Sequence, residues 1–168
     1  MKRLFLLSLI AAIVLSLFAC TANEIYEGSV VFYYIKNEKD TDGKTDVITP
    51  YYPQLNNTID NYAEILGIYF NGPTNYSCQS PFPAGTTIED INITRSKAQL
   101  VLSPQFATIS GIDFTVACAC LTKTVIELTG VNSVQIRVNG AQLDGKDYLT
   151  FHTNTFTFRD EFPVEQVS

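Results

Sequence analysis

The sequence predicts an α+β domain, a mixed β-sheet with two helices packed on it. Two segments carry apolar residues at helical spacing and each runs into a glycine stop. Several further segments are rich in β-branched and aromatic residues, as strands are. They alternate as β-β-α-β-β-α-β with a β-like tail, which gives two helices able to cover the sheet. The chain has 168 residues, 46% hydrophobic and 17% charged. That composition suits one folded domain and excludes a disordered, collagen-like or multi-span membrane chain.

Ser29 to Lys36 (SVVFYYIK) is the first strand, with apolar residues on both parities, as a strand covered on both faces requires. Asp42-Gly43 is a tight-turn dipeptide and leads into a second strand, Val47 to Tyr52. Between Asn56 and Phe70, the residues Ile59, Tyr62, Ala63, Leu66 and Phe70 form one helical stripe, with Asn57 or Thr58 as N-cap and Gly72-Pro73 as the stop. A connector, TNYSCQSPFPAGT, follows, whose prolines and glycine oppose regular structure. Thr86 to Thr94 and Lys97 to Leu102 alternate in polarity around Arg95-Ser96, a second hairpin. Ser103 or Ser110 can cap a second helix over Ile112 to Leu128, with Phe114, Cys118, Leu121, Val125 and Leu128 on its inner face and Gly130 at its C-terminal end. Val131 to Val138 is a strand closed by Asn139-Gly140. In the tail the apolar parity shifts between Phe151 and Phe156, so a strand there needs a bulge or a break.

Residues 1–19, MKRLFLLSLIAAIVLSLFA, are a positive start followed by an apolar run, a secretory leader too short to span a bilayer comfortably. Leu17-Phe18-Ala19-Cys20 resembles a bacterial lipobox, which implies cleavage before a lipidated Cys20. Two or three acyl chains would hold the protein on the membrane at about 0.8 kcal/mol per buried CH₂. The expected location is the extracytoplasmic face of the cell membrane, with residues 20–28 as a tether. Losing Lys2 and Arg3 leaves nine basic residues against 17 acidic ones, a formal −8. Such a charge disfavours nucleic acid as a partner.

From Val30 to about Gly140 the sequence resembles the GerMN domain of sporulation and spore germination. The resemblance rests on FYYI in the first strand, Gly72-Pro73 after the first helix, Pro81-Phe82-Pro83-Ala84-Gly85-Thr86, Leu102-Ser103 with Phe106 after it, the second helix from Leu121 to Leu128, and Gly130-Val131 before Val134, Ile136, Val138 and Asn139-Gly140. It divides the chain into a GerMN-like domain over 29–140 and a C-terminal extension over 141–168. Three departures stand out: Val101 where an acid is usual, the cysteines at 78, 118 and 120, and the extension. The resemblance implies a non-catalytic envelope protein that assembles with other envelope proteins or with itself, without cofactor or metal. The alternative is a surface lipoprotein that binds or hydrolyses cell-wall glycan or peptide.

Each chemistry-bearing residue has a structural role that competes with its chemical one. Asp40, Asp42 and Asp46 imitate a calcium loop, but Lys44 stands where an oxygen is needed and Tyr51 stands at the twelfth position. A hairpin tip explains them. Cys118 faces the core and Cys120 lies about 160° round the helix, so those two cannot easily bridge each other. Cys78 could meet either, so a Cys78–Cys118 disulfide and three free thiols both remain open. His152 is the sequence's one histidine. It lies near Asp160 and Glu161 but lacks a nucleophile and oxyanion donors, and a metal centre would need more ligands. Glu89-Asp90 and Asp160-Glu161 are candidate carboxylate pairs for sugar hydrolysis, and strand-end acids explain them equally. Tyr33, Tyr34, Tyr51, Tyr52, Tyr62, Tyr69, Tyr76 and Phe82 suit either a core or a glycan or peptide groove.

Overall fold

The computed structural model describes residues 30–37, 48–55, 59 and 61–156. The leader, Cys20, the Asp40–Asp46 turn, the Asn57 and Thr58 caps, and Asp160-Glu161 lie outside the described residues. The strands are β1 (Phe32–Lys36), β2 (Ile48–Tyr51), β3 (Cys78–Gln79), β4 (Ile88–Ile93), β5 (Lys97–Leu102), β6 (Ser133–Val138) and β7 (Leu149–His152); the helices are α1 (Tyr62–Phe70) and α2 (Gly111–Thr129), with a 3-10 turn over Pro104–Thr108. The α+β class holds, but among the described residues the strands form two sheets. One is antiparallel, in the order β2-β1-β3; the other runs β4-β5-β6-β7. Only β5 and β6 pair in parallel, Lys97 opposite Ser133 through Leu102 opposite Val138, and α2 is their crossover.

This second sheet explains why α2 is more buried than one amphipathic stripe requires. The helix packs on β6 on one side and on β1 on the other. Leu121 and Val125 join the buried core with Val134 and Ile136, while Thr124 accepts the Tyr33 N–H at 2.9 Å. The expectation that Cys120 lies away from the core is corrected here: Ala117 to Thr122 are all buried, Cys120 among them. Ser110 stands at the N-cap, and Gly130 closes the helix in the left-handed region at φ +70, its N–H donating to the Ile126 carbonyl at 2.8 Å. A residue with a Cβ would be strained there.

Helix α1 is shorter than its apolar stripe. Asn61 is its N-cap, the side chain accepting the Glu64 N–H at 2.8 Å and donating to the Glu64 carboxylate at 3.3 Å, a reciprocal cap. Its buried face is Ile65, Leu66, Tyr69 and Phe70, whereas Ala63 is exposed. The connector, expected to be irregular, supplies β3, which pairs with β1 only at Ile35 and Lys36. Beyond that short strand the backbone of Tyr33 is satisfied by side chains. Its N–H meets Thr124 and its carbonyl accepts the Tyr69 hydroxyl at 2.8 Å. Thr124→Val keeps the volume but deprives a buried N–H of its acceptor. It is expected to cost about 1–3 kcal/mol in urea unfolding, with most of the loss absent in Thr124→Ser.

The segment after Gly140 is built into the sheet through Leu149–His152. β7 pairs antiparallel with β6, from Ser133 opposite His152 to Ile136 opposite Leu149. The parity shift is a break: the Thr155 N–H turns back to the His152 carbonyl at 2.9 Å, and Phe156 stacks on Phe151 at 5.2 Å.

Candidate functional site

Four of the segments that carry the family resemblance, Pro81 to Thr86, Leu102-Ser103, Phe106 and Asn139-Gly140, meet at one end of the four-stranded sheet. The Pro81 to Thr86 run closes a turn in which the Thr86 N–H and hydroxyl both donate to the Pro83 carbonyl, at 3.1 and 2.8 Å, with Gly85 at φ +80. Ser103, just past β5, accepts the Thr87 N–H on its hydroxyl at 3.0 Å and donates its own N–H to the Thr87 carbonyl at 3.0 Å. Phe106 then lies in the 3-10 turn between Phe82 at 6.3 Å and Phe114 of α2 at 5.8 Å. Asn139 donates its N–H to the Leu102 carbonyl at 2.9 Å and its amide to Glu89 at 2.7 Å. These groups spend their hydrogen bonds on one another, so the motifs latch loops to the sheet.

The aromatic residues divide cleanly. Tyr34, Tyr69 and Phe82 are core, and the rings run in contact from Tyr34 to Tyr69 (5.1 Å) and on to Phe82 (5.1 Å). Tyr33 lies under the Lys123 ammonium at 4.7 Å. Tyr51 and Tyr52 instead border a surface cleft of about 340 Å³ with Asn75 and Ser77. A second, more apolar cleft of about 440 Å³ lies at the start of α2, walled by Phe114, Phe151 and Phe156. Sequence periodicity did not foretell either cleft, because each is closed by a loop whose path depends on tertiary contacts.

The candidate reactive residues are scattered. His152 ends β7 exposed, its backbone N–H donating to the Thr155 hydroxyl at 2.7 Å. Glu89 is held by Asn139, and Asp90 follows a register shift in β4. Among the described residues, no group of three or more His, Cys, Asp or Glu is placed to hold a metal ion. Cys78, Cys118 and Cys120 are buried free thiols in the structure, the candidate pair Cys78 and Cys118 included. The two sites lie on different sides of α2. Cys118 borders the apolar cleft with Phe151 of the four-stranded sheet, whereas Cys78 sits on β3 of the other sheet, its thiol 3.6 Å from the Asn75 amide oxygen. Burial pushes the Cys118 and Cys120 thiols up to about 12. Such thiols are poor nucleophiles.

The open face of the four-stranded sheet is polar and was not singled out from sequence. Asn92, Gln99, Gln135 and Thr150 form one row across it, with Gln99 donating to Gln135 at 2.8 Å. The alternation of β5 and β6, read only for its buried half, carried that signal.

A family model described as Germane, sporulation and spore germination, matches residues 31–144. The tandem GerMN domains of the sporulation protein GerM from Bacillus subtilis share the fold at a TM-score of 0.51 and 18% identity, over 69% of this chain and 40% of that one. The first GerMN domain of the same protein aligns at 0.48 and 19% identity, over 70% of this chain and 86% of that one. A presumed lipoprotein from Clostridium perfringens aligns at 0.46 and 18%, over 80% of this chain and 93% of that one. No curated protein matches the chain.

Proposed function

The chain belongs to the Germane family of sporulation and spore germination, and from that premise we propose a non-catalytic envelope protein, anchored by lipid on Cys20, whose domain acts by contact with other envelope proteins. The observation that carries this reading is the family match, which spans the folded core from β1 to the connection after β6. The motifs within that span serve as latches between loops and sheet. A domain so arranged offers surfaces, and its function lies in what docks on them. The leader and Cys20 supply the address: the membrane, on its outer side.

Crosslinking and affinity purification of the full-length protein from native membranes tests the contact role, in growing cells and, in a spore-forming host, during sporulation. A recurring set of envelope partners, or a ladder of self-crosslinked species, is expected. A protein that stays monomeric and partnerless in both states would overturn it. The anchor has its own test. Cys20→Ala should abolish fatty-acid labelling and leave a slower-migrating species that keeps residues 1–19, because the peptidase acts on the lipidated cysteine. Persistent labelling, or a mature N-terminus other than residue 20, would contradict the assignment.

A further inference from the structure

We propose that the cleft beside Tyr51 and Tyr52 is a saccharide-binding site that takes a short pyranose oligosaccharide. It lies across one end of the three-stranded sheet, with β2 and Tyr52 on one side, Lys36 of β1 and Cys78 of β3 in its lining, and the 74–77 loop on the other side. Its volume of about 340 Å³ is at the lower end of the range for small-ligand clefts.

The two walls are chemically different, and both are held. On one side Tyr51 is fixed by its hydroxyl, 2.8 Å from that of Thr74, and by edge-on packing against Tyr34 at 5.5 Å. Its chain neighbour Tyr52 leaves 62% of its surface in water. On the other side the loop is tied to β1, the Asn37 N–H donating to the Ser77 carbonyl at 3.0 Å and the Asn37 amide to the Tyr76 carbonyl at 3.0 Å. Within it the Asn75 amide oxygen accepts from the Ser77 N–H and hydroxyl, at 3.2 and 2.7 Å. That fixes the orientation of the Asn75 side chain and leaves its NH₂ as a donor.

The lining is thus an aromatic surface faced by neutral hydroxyl and amide groups, with Lys36 as its cation and no acid among its described residues. A sugar ring matches this pair of walls. Its axial C–H bonds form an apolar, slightly positive face that packs on the electron-rich face of a tyrosine, and its equatorial hydroxyls reach the polar groups opposite. A peptide fits less well. Adding a strand to the β2 edge needs a run of backbone donors, and Pro50 interrupts it.

The test is a titration of the full-length protein in detergent with chitotetraose, followed by tyrosine fluorescence and by NMR shifts of the sugar protons, with tetra-alanine as the peptide control. Saturable chitotetraose binding is expected. Tyr52→Ala should weaken it about tenfold, a ring contact worth ~1.4 kcal/mol. Tyr52→Phe should retain it, Asn75→Ala should weaken it, and Tyr148→Ala, an equally accessible ring on the β6–β7 connection, should change nothing. Because Tyr52 is a surface residue, an unchanged thermal melt separates loss of binding from loss of fold. Absence of saturable binding, binding unaffected by Tyr52→Ala, or a preference for tetra-alanine would each overturn the proposal. None of these results bears on whether the protein also recruits envelope partners.

Discussion

Tyr69→Ala is expected to remove about 3–5 kcal/mol of stability, a large share of the roughly 5–15 kcal/mol that a domain possesses. The Tyr69 ring is wholly buried at the point where α1, β1 and the Pro81–Thr86 turn converge. It contacts Phe32 at 5.0 Å, Tyr34 at 5.1 Å, Phe70 at 5.6 Å and Phe82 at 5.1 Å. Its hydroxyl donates to the Tyr33 carbonyl, and the Tyr34 hydroxyl donates back to the Tyr69 carbonyl at 2.7 Å, so strand and helix are clasped in both directions. Thr124 of α2 accepts the Tyr33 N–H at 2.9 Å, bringing α2 into the same network. Tyr69→Phe keeps the rings and loses only the polar part, about 1–3 kcal/mol. Tyr34→Phe should cost less, because the Tyr69 carbonyl still accepts the Gly72 N–H at 3.1 Å. Urea midpoints at constant slope measure all three. A loss below about 1 kcal/mol for Tyr69→Ala would show that the ring cluster is not central to the core.

That cluster marks where sequence reasoning succeeded and where it stopped. The segments themselves were legible because period and punctuation coincide. Ala98, Leu100 and Leu102 alternate on β5, Val134, Ile136 and Val138 on β6, and Gly130 ends α2. The second sheet was not legible. Its third strand has two residues, Cys78 and Gln79, too few to show alternation, and it exists because β1 offers an edge and Asn37 holds the adjoining loop. One missed layer propagates. With a single sheet, α2 needs one buried face and Cys120 falls outside it; with β1 across its back, Cys120 and Thr124 become interior. The same missing layer concealed the Tyr52 cleft, whose walls come from β2 and from the loop that leads into β3. The family segments were legible in order and spacing, but their hydrogen bonds join residues far apart in sequence. Thr87 meets Ser103, and Asn139 meets Glu89 and Leu102.

The buried thiols give the second large effect, and its sign follows from their titration. Burial raises Cys118 from 9.0 to about 12, and Cys120 likewise, a backbone hydrogen bond offsetting part of the rise in the latter. In the folded protein both are therefore neutral at a pH where unfolded thiols have begun to ionise. A raised native value means that the stabilisation is fully present below the unfolded value and is lost as pH climbs from there toward the folded one. Under reducing conditions stability should fall from about pH 9 upward, by up to about 1.4 kcal/mol per pH unit for each thiol. Tyr34 and Tyr69, also raised chiefly by burial, add the same sign at higher pH. Cys118→Ala with Cys120→Ala should flatten the slope whatever it does to stability at neutral pH. Alkylation reports the same physics. Three pH units correspond to about a thousandfold smaller thiolate fraction, and access requires opening of α2 from both sheets, so labelling at these two positions should follow the population of opened molecules. A urea-denatured sample should react orders of magnitude faster. Equal labelling in the folded and unfolded states, or stability independent of pH across the alkaline range, would mean that β1 does not seal the back of α2 and that the two-sheet packing around this helix is incorrect.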